Sequence, residues 1–252
     1  MNAPGVPWLH ERYAAQALWT EALRRRLLTR INLPTRPNVL EVGSGTGCIT
    51  GWISNEIDTP VWGIDLHRPA LQFAQAIDPD NGYTQADGGS LPFPNACFDL
   101  IFCHFLLLWT PDPGSILSEM RRCTREKGWV IAFAEPDYGA RIDYPDPLQP
   151  LGEYQKQALE RSGAHANRGR QLKGLFADAG LQQVHAGLLG GEWGVNPPSD
   201  LHLEWDVLHT DLAGSISDAE LNQLEQLDRL AWAAQKRILF VPTFYALGQK
   251  LA

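Results

Sequence analysis

Basic residues are the minority charge in this chain of 252 residues: 21 lysines and arginines stand against 29 aspartates and glutamates, a net charge of −8. A surface that gathers nucleic-acid phosphates needs the opposite balance, so nucleic acid is not an expected partner. The four cysteines, Cys48, Cys97, Cys103 and Cys123, form no C-x-x-C pair and no zinc-ligand spacing. They read as free thiols of a reducing compartment, and no metal site is expected. No apolar run approaches the about 18 residues of a membrane helix, and the N-terminus carries no basic segment followed by an apolar stretch. A cytoplasmic protein with no membrane partner is therefore expected. Repeats and low-complexity tracts are missing as well, and 44% hydrophobic with 20% charged residues is ordinary for a globular chain. The length suits one α/β domain spanning 1–252.

What is present centres on Asn38 to Ile53, NVLEVGSGTGCITGWI. An apolar strand carrying Glu41 breaks into Gly43, Gly45 and Gly47, and a helix begins at once. Glycine reaches backbone angles closed to other residues and admits a ligand close to the main chain. Such a turn is expected to offer backbone N–H groups at a helix N-terminus, where polar or anionic ligand atoms are favoured.

Before it, residues 8–31 read as a helix with Ala15, Trp19, Leu23, Leu27 and Ile31 as an apolar stripe and Arg24, Arg25 and Arg26 as a solvated face. Tyr13, near its start, is placed to fold over a bound ligand. After the turn, strands at Val61–Leu66, around Tyr83–Asp87, Cys97–Trp109 and Trp129–Tyr138 alternate with helices at Cys48–Ile57, Pro69–Ile77 and around Ile116–Cys123, the last ending at Lys127-Gly128. This alternation predicts parallel βαβ units over a core of 38–145. Two helices, 151–164 and 170–179, lead to a sixth strand at Gln183–Leu189. Ser217 and Glu220 form a capping box for a helix to about Lys236, and Thr243–Gly248 closes the sheet as an antiparallel strand. The fold expected is α/β: a seven-stranded mixed sheet, parallel but for its C-terminal strand, flanked by helices, with a small helical cap at about 196–237.

Ligands of such sheets sit beyond the carboxyl ends of the strands, which gathers Gly43–Gly47, Asp65, Asp87, His104 and Glu135–Tyr138 on one edge. A dinucleotide fingerprint would require a third glycine where Cys48 stands, so a nicotinamide-dependent oxidoreductase is the weaker reading. LEVGSGTG resembles motif I of the class I S-adenosylmethionine-dependent methyltransferases, and the resemblance continues through Asp65, ADG at Asp87, FDLIFCHFLLLW and the closing FYALGQK. It is nearest the ubiquinone-biosynthesis-like, type 11 group of small-molecule enzymes, and implies a Rossmann-like fold and S-adenosylmethionine as cofactor, leaving as S-adenosylhomocysteine.

Residue by residue, the resemblance implies cofactor contacts at Glu41, Gly43, Ser44, Gly45, Gly47, Asp65, Leu66, Asp87, Gly88, Cys103 and His104. Asp65 would serve the ribose hydroxyls and Asp87 the adenine amine. His104 is the first candidate base, because imidazole titrates near neutral pH. Asp137 and Tyr138 join it as catalytic candidates. Glu135, Tyr138, Arg141 and Tyr13 are candidates for holding a small-molecule acceptor, with Arg141 alternatively pairing with Asp143. His165 and Arg168 are weaker candidates. No N-P-P-Y-like tetrad follows the fourth strand, which disfavours nucleobase or glutamine methylation. A monomer or homodimer is expected, and a non-catalytic binding or partner subunit is the alternative from another class.

Overall fold

The structure, a computed structural model, describes residues 5–194 and 201–251. Chain order alternates helix and strand: α1 (Val6–Trp19), α2 (Glu21–Leu28), β1 (Val39–Val42), α3 (Cys48–Ile57), β2 (Trp62–Asp65), α4 (Arg68–Ile77), β3 (Gly82–Gln85), β4 (Phe98–Cys103), α5 (Pro113–Cys123) and β5 (Thr124–Pro136). There follow β6 (Ile142–Tyr144), α6 (Pro150–Arg161), α7 (Leu172–Asp178), β7 (Gln182–Leu189), α8 (Leu201–Asp211), α9 (Asp218–Ala233), β8 (Ile238–Phe240) and β9 (Thr243–Gln249).

The main sheet has seven strands in the order β3-β2-β1-β4-β5-β9-β7. The first five pair in parallel, and β9 runs antiparallel between β5 and β7. All four residues of β1 are buried, as a central parallel strand covered by helices on both faces requires. One face packs Leu40, Val42, Ile101 and Val130 against Leu117, Met120 and Phe176. The other packs Val39, Leu100, Phe102 and Ile131 against Leu23, Leu27 and Ile53. The alternation expected from the sequence, Rossmann-like and mixed, is the architecture found.

Four local expectations are corrected. The N-terminal helix is two helices, broken at Thr20 (φ −109°), which is 1% exposed. The break re-aims the stripe: Leu23, Leu27 and Ile31 are buried, but Trp19 is 51% exposed and Ala17 takes its place. Arg24 does not face solvent. It is 1% exposed, lies 4.3 Å over the Trp52 ring, and donates to the Ala17 carbonyl (2.7 Å) and the Thr20 hydroxyl (2.5 Å). Burial lowers its pKa to about 10. Lys127-Gly128 is not a helix end: α5 stops at Cys123, and Lys127 (φ +63°) sits in an irregularity inside β5, where Phe98 pairs with Thr124 but Leu100 with Trp129. A two-stranded ribbon of β6 with β8 was not foreseen.

The excursion at 196–237 contains α8 and α9; its residues 196–200 lie outside those described. Trp205, Leu208, Leu221 and Leu224 of these helices, with Leu212 just after α8, pack with Leu148 and Leu151, the latter from α6. Ser217 caps α9 by accepting from the Glu220 N–H, as the capping box predicts. No helix among the described residues is long and apolar enough to cross a membrane.

Candidate functional site

The β1–α3 turn takes its shape from glycine. Gly43 (φ +78°) and Gly45 (φ +52°) occupy the left-handed region, which a side chain would strain. A Cβ on Gly43 would stand 2.7 Å from Leu106 Cδ1, and one on Gly45 would stand 3.2 Å from the Tyr13 ring, so Tyr13 lies over the turn. Gly47 is tucked under Tyr83, whose hydroxyl would be 2.5 Å from an added Cβ.

Four of the turn's N–H groups are already engaged within the protein. Gly43 and Ser44 both donate to the Ile64 carbonyl (2.8 and 2.9 Å), Gly47 donates to Ser44 (2.9 Å), and Gly45 donates to Asp65 Oδ2 (2.8 Å). Asp65 Oδ1 accepts the His67 N–H at 2.8 Å. The acid at the end of β2 therefore braces the glycine turn before any ligand arrives. Ser44 is 6% exposed, its hydroxyl has no partner, and its side chain fills the space left by Gly63, so it does not line the cleft.

Beside the turn lies a cleft of about 490 Å³ at the carboxyl ends of β1, β2, β3 and β4. Gly43, Asp65, Leu66, Asp87 and Gly88 line it. Asp87 is exposed and spends Oδ1 on the Gly89 N–H (2.9 Å). Leu106, Trp109, Ser115 and Ile116 complete the walls. These four were not picked out as site residues; the run of apolar residues after β4 was the available signal, and it reads equally well as core. Leu66 (67% exposed) and Trp109 (46%) present bare apolar surface at the opening.

Glu41 is buried beneath the turn and accepts from the Thr50 hydroxyl of α3. It clamps strand to helix and does not reach the cleft. Burial pushes its pKa to about 8, against the pull of Thr50 and Arg24. The folded protein holds this proton more tightly than the unfolded chain, whose ordinary value is 4.5. The stability it contributes is complete below pH 4.5 and is lost as pH rises through about 8. Glu41→Gln should remove that loss: chemical denaturation at pH 5 and pH 8.5 should show a smaller decline than in the unaltered protein. An equal decline would mean Glu41 is already ionised in the fold.

Most of the remaining candidates are engaged within the protein itself. Cys103 is fully buried in the core, so its side chain is no cofactor contact. His104 Nε2 meets the Thr20 hydroxyl at 2.9 Å, and burial, with the Arg24 charge, lowers its pKa to about 3. An imidazole this reluctant to take a proton is a poor base. Glu135, fully buried, accepts the N–H groups of Leu106 (3.0 Å), Leu107 (2.7 Å) and Leu108 (3.1 Å), holding the segment that walls the cleft. Asp137, also fully buried, is clasped by Arg170 through its backbone N–H (3.1 Å), Nε and Nη2 (both 2.6 Å). Arg141 pairs with Asp143 (2.7 Å), Glu204 (3.3 Å) and Gln155, so the ion-pair alternative is the one observed. Arg168 binds the carbonyls of Leu107 and Thr110 (3.0 and 3.1 Å). Tyr138 packs with Leu108, Leu159 and Ala164, and burial together with Glu204 raises its hydroxyl to about 12. The polar loop after β5 is thus mostly saturated from within.

A glycine-turned, mostly parallel sheet with acids ending its second and third strands defines the class I methyltransferase fold. The family model described as a methyltransferase domain matches residues 40–132. Malonyl-[acyl-carrier protein] O-methyltransferase of Erwinia billingiae is 33% identical over 171 residues, covering 57% of this chain and 67% of that protein. Phosphatidylethanolamine N-methyltransferase of Cereibacter sphaeroides is 33% identical over 118 residues, 44% of this chain; the match spans only 57% of that relative's length. Among solved structures, phosphoethanolamine N-methyltransferase 2 of Haemonchus contortus, in complex with phosphomonomethylethanolamine and S-adenosylhomocysteine, superposes with a TM-score of 0.60 at 16% identity, covering 92% of this chain and 53% of that one. This chain belongs to the class I S-adenosylmethionine-dependent methyltransferases, and S-adenosylmethionine is the family's cofactor.

Proposed function

We propose that this protein moves the methyl group of S-adenosylmethionine to an oxygen, nitrogen or carbon of a small-molecule acceptor. The observation that carries the reading is the cleft at the strand ends, with carboxylates at Asp65 and Asp87 and apolar surface between them. The donor set suits the cofactor. Asp65 keeps acceptor capacity beyond its two backbone N–H bonds, as two ribose hydroxyls require, and Asp87 keeps Oδ2 for an exocyclic amine. Leu66, Trp109 and Ile116 offer faces to a planar base, and Gly88 brings backbone close to it. Tyr13, over Gly45, closes the end where a methionine portion belongs.

When bound, the cofactor supplies a methyl group on a positively charged sulfur, so no base is needed for an acceptor that is already nucleophilic. The protein's task is then to orient the acceptor and exclude water. Tyr13 and Tyr138 fit that task better than His104, which stays neutral and tied to Thr20. Relatives named for N- and O-methyl transfer stand side by side, so likeness alone does not select the acceptor atom. Titration calorimetry should show S-adenosylhomocysteine binding at about one per chain and no heat from NADH. Binding of NADH alone would replace the reading with an oxidoreductase; binding of neither would favour a partner subunit.

A further inference from the structure

The first helix is held to the molecule more loosely than the second. Of the fourteen residues of α1, Ala17 alone is buried, whereas α2 buries Leu23, Arg24 and Leu27 within eight. A segment with few buried apolar contacts opens at low cost. Between the two helices Thr20 leaves helical geometry (φ −109°, ψ 4°) and is itself buried, a fixed point about which α1 can turn.

What fastens α1 is a small cluster near its start. His10 Nδ1 meets the Thr46 hydroxyl at 3.1 Å and the Cys48 thiol at 3.4 Å, and that thiol also reaches the His10 carbonyl at 3.8 Å. The imidazole leans on Phe73 of α4, with ring centres 5.0 Å apart. Thr46 and Cys48 flank Gly47, and Thr46 is fully buried. Three residues on from His10, Tyr13 lies over Gly45, whose N–H is bonded to Asp65 in the wall of the cleft. The helix thus crosses the glycine turn between a polar fastening and a hinge. The fastening stands apart from the cleft: His10, Thr46 and Cys48 do not line it.

We infer that α1 is a hinged strap whose opening sets how fast a ligand enters and leaves the glycine-turn end of the cleft, with His10 as its latch. A ligand in the cleft touches none of the latch residues, so the latch holds equally with the cleft filled or open. Its strength therefore cancels from affinity and remains in the rates, which it slows in both directions. That the ligand passing the strap is S-adenosylmethionine rests on the methyl-transfer reading; the opening of the strap does not.

Cys48 reports the state of the latch. Its alkylation by iodoacetamide, followed by mass spectrometry, should be several-fold faster in His10→Phe, which keeps a ring beside Phe73 but loses both polar contacts. Thr46→Val, which removes one of those contacts from the side of the turn, should speed it likewise. Cys97, just before β4 at the opposite edge of the sheet, should react at one rate in all three proteins. Stopped-flow mixing with S-adenosylhomocysteine, read by tryptophan fluorescence, should show association and dissociation both several-fold faster in His10→Phe, with their ratio unchanged. A Cys48 rate indifferent to both variants overturns the inference, as do binding rates that His10→Phe leaves unchanged. So does a His10→Phe protein in which dissociation alone quickens and affinity falls, the mark of a residue that merely shapes the site. Should Cys48 answer to the latch while S-adenosylhomocysteine fails to bind, the strap stands and the methyl-transfer reading falls.

Discussion

Asp65→Ala should weaken S-adenosylhomocysteine binding by about ten- to a hundredfold, the effect of losing hydrogen bonds to a charged acceptor worth about 1–3 kcal/mol. Two causes add. The ribose hydroxyls lose their acceptor, and the Gly45 and His67 N–H groups, now held at 2.8 Å each, lose theirs. The second loss loosens a turn already held in left-handed backbone at Gly43 and Gly45. Melting temperature should therefore fall together with affinity, whereas Asp65→Asn, which keeps one acceptor oxygen, should keep most of the stability and lose mainly affinity. Calorimetry and thermal unfolding on the two variants separate the contributions. Unchanged affinity in the alanine variant would refute the ribose assignment.

Glu135→Ala should be the most destabilising single change of those considered, costing at least about 3 kcal/mol, because three buried backbone donors lose their partner at once and each unmet group costs about 1–3 kcal/mol. The segment it holds supplies Leu106 and Trp109 to the cleft, so the fraction that still folds should also bind S-adenosylhomocysteine more weakly. Urea unfolding measures the first effect and titration the second. A loss below about 1 kcal/mol would mean the segment after β4 is held by its own packing and by Arg168, with Glu135 dispensable.

These two residues show what the sequence could and could not say. The glycine turn, the βαβ alternation and the acids at 65 and 87 were legible because they are local: strand, turn and strand-end acid follow one another within a few residues. Glu135 and Asp137 read from the sequence as ligand-handling residues because a polar loop at the ligand edge looks the same whether its charges face solvent, ligand or protein, whereas the pairing of Arg141 with Asp143 is legible as an alternative. The partners of Glu135 and Asp137, Leu106–Leu108 and Arg170, are remote in sequence, and only the fold brings them together. Arg24 was hidden by the opposite effect. Three consecutive arginines suggest a wet face, yet the break at Thr20 turns the second helix so that Arg24 caps Ala17 and lies on Trp52. Leu106, Trp109 and Ile116 carry no chemistry that pattern reading would single out, although they build much of the cleft.

The place of β9 in the sheet has a bearing on biosynthesis. Residues Thr243–Gln249 fill the slot between β5 and β7, so β7, made first, has no strand beside it until the chain has passed through α8 and α9. During translation, β5 and β7 each present an unpaired edge that invites intermolecular pairing. The ribosome-bound protein therefore exposes its aggregation-prone surface last and longest on the side of the sheet away from the cleft, and loss of the closing residues would open the sheet from within instead of fraying its border.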